Sequence, residues 1–290
     1  YLADNDIYVN TSKEVAGLSE EMRTEDIYPL QEAVLVRLQS MNDPQLSVAK
    51  LCGGTALSRC WLSHRVSFDL DFFLPEGFKA GELAVAMKKA DIDFRTKDNV
   101  DDLKKANQLH GYISHEGRLL KVSFVEDAYF TLFPAVENSF GGGVVQTEEI
   151  PGLYHRKLRT VAGHGSEGDS FEGGRQTARD VFDLYVLSQA FKPLVEFIES
   201  LPYAFPSAAF SNGLASMPWY DLADELGEII CADEWARARD VAFLQSALYE
   251  QIGAVLVEDE WAEESRPAPS ATPKKSRPGK KQLKPRGLKP

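Results

Sequence analysis

Residues 52–73 read Cys-Gly-Gly-Thr-Ala-Leu-Ser-Arg-Cys-Trp-Leu-Ser-His-Arg-Val-Ser-Phe-Asp-Leu-Asp-Phe-Phe, and the order of those residues decides the fold. A glycine pair, Gly53 and Gly54, closes an apolar run, and after a short segment of helical character Asp69 and Asp71 alternate with Phe68, Leu70 and Phe72. Alternation is the period of a strand, so both carboxylates face one side and the apolar residues the other. Two carboxylates held side by side repel each other unless a divalent cation sits between them. Magnesium suits such a site, because it takes one or two carboxylates and fills its shell with water and substrate phosphates. The glycines suit the anion: without Cβ atoms they can adopt positive φ and let a phosphate approach the backbone amides. A helix beginning near Thr55 points its N-terminal amides at the same anion. Phosphates at one end and a metal at the other are most of what phosphoryl or nucleotidyl transfer needs, since that chemistry is mainly positioning and charge neutralisation.

Working outward, residues 24–42 carry Ile27, Leu30, Val34, Leu35, Leu38 and Met41 on one helical stripe, with Thr24 as a cap and Pro29 as an alternative start. A strand over 48–51 leads into the glycine pair. The patterning then predicts a helix over 79–90 and strands over 92–96, 111–114, 119–125 and 144–147. Beyond these, helices are predicted at 152–163, 177–190, 193–200, 221–231 and 233–253. This order predicts an α+β fold: a core in residues 1–148 built from a small mixed sheet with helices, then a helical domain over 149–265. Residues 266–290 hold nine Lys and Arg and no acid among Pro and Ser, which predicts a disordered basic tail.

The 290-residue chain is long enough to bury a substantial core. Its net charge is −12, so without the nine cations of the tail residues 1–265 stand at −21. Such a body repels nucleic acid at long range, and any RNA contact has to rest on a local basic groove, a metal ion or the tail. The tail reads first as an inert solvated extension, with a phosphate-contacting arm as the alternative. Three cysteines cannot all pair and show no zinc spacing, so Cys52, Cys60 and Cys231 are expected as reduced core thiols. No P-loop occurs. No apolar run approaches the roughly 18 residues that cross a bilayer, and the first residues lack a basic-then-apolar signal. The expectation is a cytoplasmic protein with no membrane partner.

Gly53-Gly54-Thr55-Ala56-Leu57, followed by Arg65, Ser67 and Asp69-Leu70-Asp71-Phe72-Phe73, resembles the signature of the AbiEii/AbiGii-type nucleotidyltransferase toxins, a branch of the DNA polymerase beta-like superfamily. A second block, Lys157 and then Arg179-Asp180-Val181-Phe182-Asp183-Leu184-Tyr185, is similar to the later pattern of that family. The likeness spans residues 45–190. It implies a polymerase beta-like nucleotidyltransferase core and a toxin of a toxin–antitoxin or phage-defence system. The implied reaction moves a nucleoside monophosphate from a nucleoside triphosphate to an acceptor, with the tRNA 3′ end as the expected acceptor. It further implies magnesium, with manganese as an alternative, and a cognate antitoxin as partner. Asp69 and Asp71 are then the metal ligands and catalytic acids, Gly53, Gly54, Thr55, Arg65 and Ser67 the phosphate-binding set, and Lys157 and Asp180 the catalytic pair supplied by the helical part. The segment 120–126 offers Ser123 where a third acid is expected, which leaves Asp180 or Glu126 for that place. Asp183 is expected as a structural partner. Two rivals remain at this stage: transfer to a protein hydroxyl, which the acidic body favours, and a non-catalytic nucleotide- or RNA-binding protein, which the missing third acid favours.

Overall fold

Asp69–Leu74 is a central strand because its residues alternate between two environments, with Leu70, Phe72 and Leu74 buried and Asp69, Asp71 and Phe73 half-buried. The computed structural model describes residues 24–100, 106–165, 171–172 and 177–264. The basic tail expected at 266–290 lies outside the described residues.

Helix α1 (Thr24–Ser40) sends Ile27, Leu30, Val34, Leu35 and Leu38 into the core and keeps Pro29 inside it, so Pro29 does not mark its start. A 3-10 turn over Leu46–Val48 takes up the beginning of the strand expected at 48–51, which moves strand β1 to Lys50–Cys52. Helix α2 (Gly53–Ala56) passes directly into a π-helical turn (Leu57–Leu62) that ends with Ser63 at a left-handed φ of 50°. Strand β2 (Asp69–Leu74) and helix α3 (Ala80–Lys89) follow. Next come strands β3 (Phe94–Val100), β4 (Gln108–His115), β5 (Arg118–Glu126), β6 (Ala135–Phe140) and β7 (Gly143–Glu148). The seven strands form one sheet in the order β3-β4-β5-β2-β1-β7-β6. It is mixed: β2 runs parallel to β5 and β1 parallel to β7, while the other pairs are antiparallel.

The chain then turns helical, with α4 (Ile150–Ala162), a short hairpin of β8 (His164–Gly165) and β9 (Phe171–Glu172), α5 (Ala178–Ala190), α6 (Leu194–Glu199), α7 (Ser207–Ala215), α8 (Leu222–Gly227) and α9 (Val241–Glu264). This is the expected α+β architecture, and three further local differences have a clear physical cause. Strand β6 was not expected: it is an edge strand in which only Phe140 is buried, so it lacks the apolar signal of a buried one. Helix α7 was hidden by Ser, Asn and Gly, yet Gly213 is needed there, because a Cβ would lie 2.1 Å from the Val161 carbonyl oxygen. The helix expected over 233–253 is broken into a 3-10 helix (Asp233–Arg239) and α9, because Asp240 leaves helical geometry and accepts the Phe243 amide on Oδ1 at 2.8 Å, which caps the new helix.

One continuous cluster of buried apolar residues runs from Ile27 through the sheet to Leu244, Leu248 and Ile252. The three thiols are free, and Cys52 is buried. Among the described residues, no helix is long and apolar enough to cross a membrane.

Candidate active site

Strands β1 and β2 meet at the site: Cys52 lies opposite Asp71, and the chain leaves β1 at Gly53. Gly53 has φ +68°, and a Cβ there would sit 2.7 Å from the Asp71 Oδ2 atom. Glycine is therefore required twice, for the left-handed turn and for the space beside the carboxylate. Gly54 answers a different need from the one expected of it. A Cβ at Gly54 would lie 2.2 Å from Arg65 Nη2 and 3.1 Å from Ser67 Oγ, so this glycine makes room for the arginine. Ser67 Oγ donates to Asp69 Oδ1 at 3.3 Å. Thr55, expected at the phosphates, is buried and gives its hydroxyl to the Asp69 carbonyl at 2.5 Å. From behind, Gln31 of α1 donates to the Ser67 carbonyl at 2.8 Å, which ties the helix to the start of β2. The Cys52 thiol is pushed up to about 12, chiefly by burial, and stays protonated beside the acids.

The second block forms a buried ion network. Lys157 on α4 places Nζ 2.7 Å from Asp180 Oδ1 and 2.8 Å from Asp183 Oδ2, and both acids are fully buried on the first turns of α5. Thr177 donates to Asp180 Oδ2 at 2.6 Å. Arg65, also expected at the phosphates, is instead spent on Asp183 in a two-pronged pair (Nε to Oδ1 2.6 Å, Nη2 to Oδ2 2.8 Å), with Nη1 on the Val66 carbonyl. His64 Nε2 lies 2.8 Å from Asp183 Oδ1, and its ring stacks on Phe182. Burial opposes the charge of Asp183, but Arg65 and Lys157 outweigh it and hold the carboxyl well below its ordinary value. Burial likewise opposes the charge of Arg65, and Asp183 more than restores it, raising the guanidinium. Arg65 thus joins the two blocks, reaching Asp183 on one side and lying against Gly54 on the other.

The place of a third strand acid is occupied by Ser123, which sits beside Asp71 in the parallel register of β2 and β5. Glu126 is removed as an alternative. It pairs with Leu74, whose side chain is on the opposite face from Asp71, and its oxygens accept the amides of Gly77 and Asn107. Among the described residues, no group of three or more His, Cys, Asp or Glu is gathered as a metal cage. Beside the two aspartates, Lys121 Nζ lies 3.8 Å from Asp69 Oδ2.

The family described as "Nucleotidyl transferase AbiEii toxin, Type IV TA system" matches residues 48–274. The chain belongs to this AbiEii family. It is accordingly a nucleotidyltransferase of the toxin type. No curated protein sequence matches it. Solved structures similar to this AbiEii-family chain include JHP933 from Helicobacter pylori (18% identity, TM-score 0.44, 81% of this chain and 94% of that one). A putative nucleotidyltransferase from H. pylori is similar at 16% identity and TM-score 0.45, over 84% of this chain and 100% of that one. An antigenic nucleotidyltransferase-like protein from Paracoccidioides brasiliensis gives 14% and 0.41, over 73% and 97%.

Asp183 is the structural partner expected of it, on the helix face it shares with Asp180 three residues earlier, whereas sequence reasoning passed over His64 and Lys121 in this AbiEii-family site. For Lys121 no signal existed, because its place beside Asp69 comes from the pairing of β2 with β5.

Proposed function

We propose that this chain transfers a nucleoside monophosphate from a nucleoside triphosphate to the 3′ end of tRNA, with magnesium as cofactor and pyrophosphate as leaving group. The observation that carries this reading is the joining of the two sequence blocks: Asp69 and Asp71 lie on one face of β2 beside Gly53 and Ser67, and Arg65 connects that corner to Lys157 and Asp180. The residues fit magnesium, because two adjacent carboxylates with a Cβ-free space against Asp71 match an ion that takes one or two protein acids and leaves the rest of its shell to substrate phosphates. Bound there, magnesium supplies charge neutralisation for the triphosphate and eases loss of the acceptor hydroxyl proton; manganese fits the same donors.

The chain's own groups divide the remaining work. Asp69 and Asp71 hold the metal and face the acceptor hydroxyl, Ser67 orients Asp69, and Gly53 with the following amides seats the phosphates. Gly54 contributes by admitting Arg65, and Thr55 and Arg65 hold this frame from within. Lys157 neutralises the charge that develops as pyrophosphate leaves. An ammonium carries three donors; Asp180 and Asp183 take two, and the third is the one assigned to phosphate. Asp180 completes the acidic side by fixing Lys157. We assign residues 1–148 to the sheet-based core and 149–265 to the helical part that supplies Lys157 and Asp180, the whole acting in the cytoplasm against an antitoxin partner.

The test is incubation with each labelled nucleoside triphosphate, magnesium and total RNA. Label is expected in the tRNA fraction and is expected to vanish with Asp69→Ala. Full transfer by that variant would falsify the mechanism. Label in protein would move the acceptor to a protein hydroxyl, and nucleotide binding without pyrophosphate release would make the chain a binding protein.

A further inference from the structure

Joining a hydroxyl oxygen to the α-phosphorus of a triphosphate sets a proton free, and a base within reach has to accept it. The groups already assigned around the site are poorly placed to do so. Asp69 and Asp71 spend their lone pairs on the metal, and Lys157 is an ammonium held by Asp180 and Asp183. The Cys52 thiol stays protonated. Ser123, which stands beside Asp71 in register, offers a hydroxyl and no base. The next residue along that row is of another kind, because Ser123 pairs with His110 of β4.

Residues paired in register share a face of the sheet, so Asp71, Ser123 and His110 form one row across β2, β5 and β4. Two strand spacings of about 4.8 Å put the ends of the row about 10 Å apart at Cα. Ser123 is buried while Asp71 and His110 on either side are half-buried. The carboxylate and the imidazole therefore stand above the serine and border the same space, which has the width for a metal and a hydroxyl oxygen between them. A second tie runs through Lys121, whose Nζ is 3.8 Å from Asp69 Oδ2 and whose charge also acts on the His110 ring.

The ring is prepared for the task. His110 Nε2 lies 2.9 Å from Gln108 Oε1. An amide oxygen only accepts, so Nε2 carries the hydrogen and Nδ1 the lone pair. Burial and then Lys121 of β5 hold the imidazole below its ordinary value, with Asp98 of β3 opposing them and Lys97 of β3 adding to them. Helices α1 and α3 pack on β4 over Leu109 and Ile113, on the other side of the strand. Near neutrality His110 is thus an uncharged ring. Asp98, its partner in register on β3, favours the imidazolium that forms once a proton arrives.

We propose that His110 is the general base of the transfer, taking the proton of the acceptor hydroxyl as that oxygen bonds the α-phosphorus and the bond to the leaving pyrophosphate breaks. Pyrophosphate departs with the electron pair of the broken bond, and the half-buried imidazolium returns its proton to solvent. The role rests on the nucleotidyl-transfer reading and is the same for any acceptor hydroxyl. The measurement is single-turnover label transfer by the full chain with magnesium across pH, beside its urea midpoint and its affinity for the labelled triphosphate. The parent is expected to slow as pH falls through the His110 value, because a protonated ring accepts no further proton. His110→Gln is expected to transfer about 100-fold more slowly, to lose that acid limb, and to keep the midpoint and the nucleotide affinity. Added imidazole is expected to restore part of the rate to His110→Ala, in proportion to its unprotonated form. Lys121→Met removes the cation that depresses the ring, so the limb is expected to move to higher pH. A parental rate and limb in His110→Gln would overturn the base and leave transfer standing. A slower rate with the limb retained would overturn it as well, because a structural role moves the rate alone. If neither His110 variant folds, an unmoved limb in Lys121→Met overturns the base. No transfer by the parent to RNA or to protein would remove the transfer reading and the base together.

Discussion

Asp183, fully buried, collects three cationic or donor groups: Arg65 by two bonds, Lys157 by one and His64 by one. Removing one member of such a buried set leaves the others charged and unmatched, which costs more than the pair itself contributes. Asp183→Asn is therefore expected to lower stability by about 3–5 kcal/mol, read as a shift of the urea midpoint. Its pH dependence has a definite sign. Folding depresses this carboxyl below the ordinary value of about 3.9, so its stabilisation is fully present above that value and is lost as pH falls toward the depressed folded one. The gap between parent and variant midpoints should stay constant from about pH 8 to about pH 5 and narrow below about pH 4. At Gly53, alanine meets both a left-handed φ and the Asp71 carboxylate, at a cost of about 1–3 kcal/mol. Gly53→Ala is expected to lose label transfer about tenfold or more while still folding. Asp69 and Asp71 could be read directly from the chain because a period of two is local information. The tie between Arg65 and Asp183 could not, since 118 positions separate them and only packing brings them together.

At the scale of elements, the strands and helices with a one-sided apolar pattern were legible, and those with a different physical basis were not. Strand β6 is held by its antiparallel ladder to β7, and helix α7 by close approach to α4 through Gly213. Strand β6 leaves no hydrophobic period, and the stripe of α7 is short, with Ala209, Phe210 and Leu214 its buried side chains beside Gly213. The break at Asp240 was legible in principle, because an Asp three residues before Phe243 is a capping arrangement inside an otherwise continuous pattern. Asp240→Ala is expected to lower stability by about 1 kcal/mol through the start of α9, measured by chemical denaturation. A result near zero would mean that burial of Leu244 and Leu248 alone fixes that start.

For the whole molecule, the apolar cluster passes without interruption from the sheet into the helices that carry Lys157 and Asp180. Unfolding by urea is therefore expected as one transition, with far-ultraviolet circular dichroism and tryptophan fluorescence changing together. Two separated transitions would show that sheet and helices hold together independently. The late chain also bears on the site through a small feature. Arg65 bridges to Cys231, with the Val66 amide on the Ile230 carbonyl at 2.8 Å and the Ala232 amide on the His64 carbonyl at 3.0 Å. The backbone that presents the connecting arginine is thus clasped by residues almost 50 positions beyond Asp183. A shortened chain ending before residue 230 would keep each acid, the lysine and both glycines, yet lose the edge that seats Arg65. The smallest working form of this enzyme has to extend past Ala232.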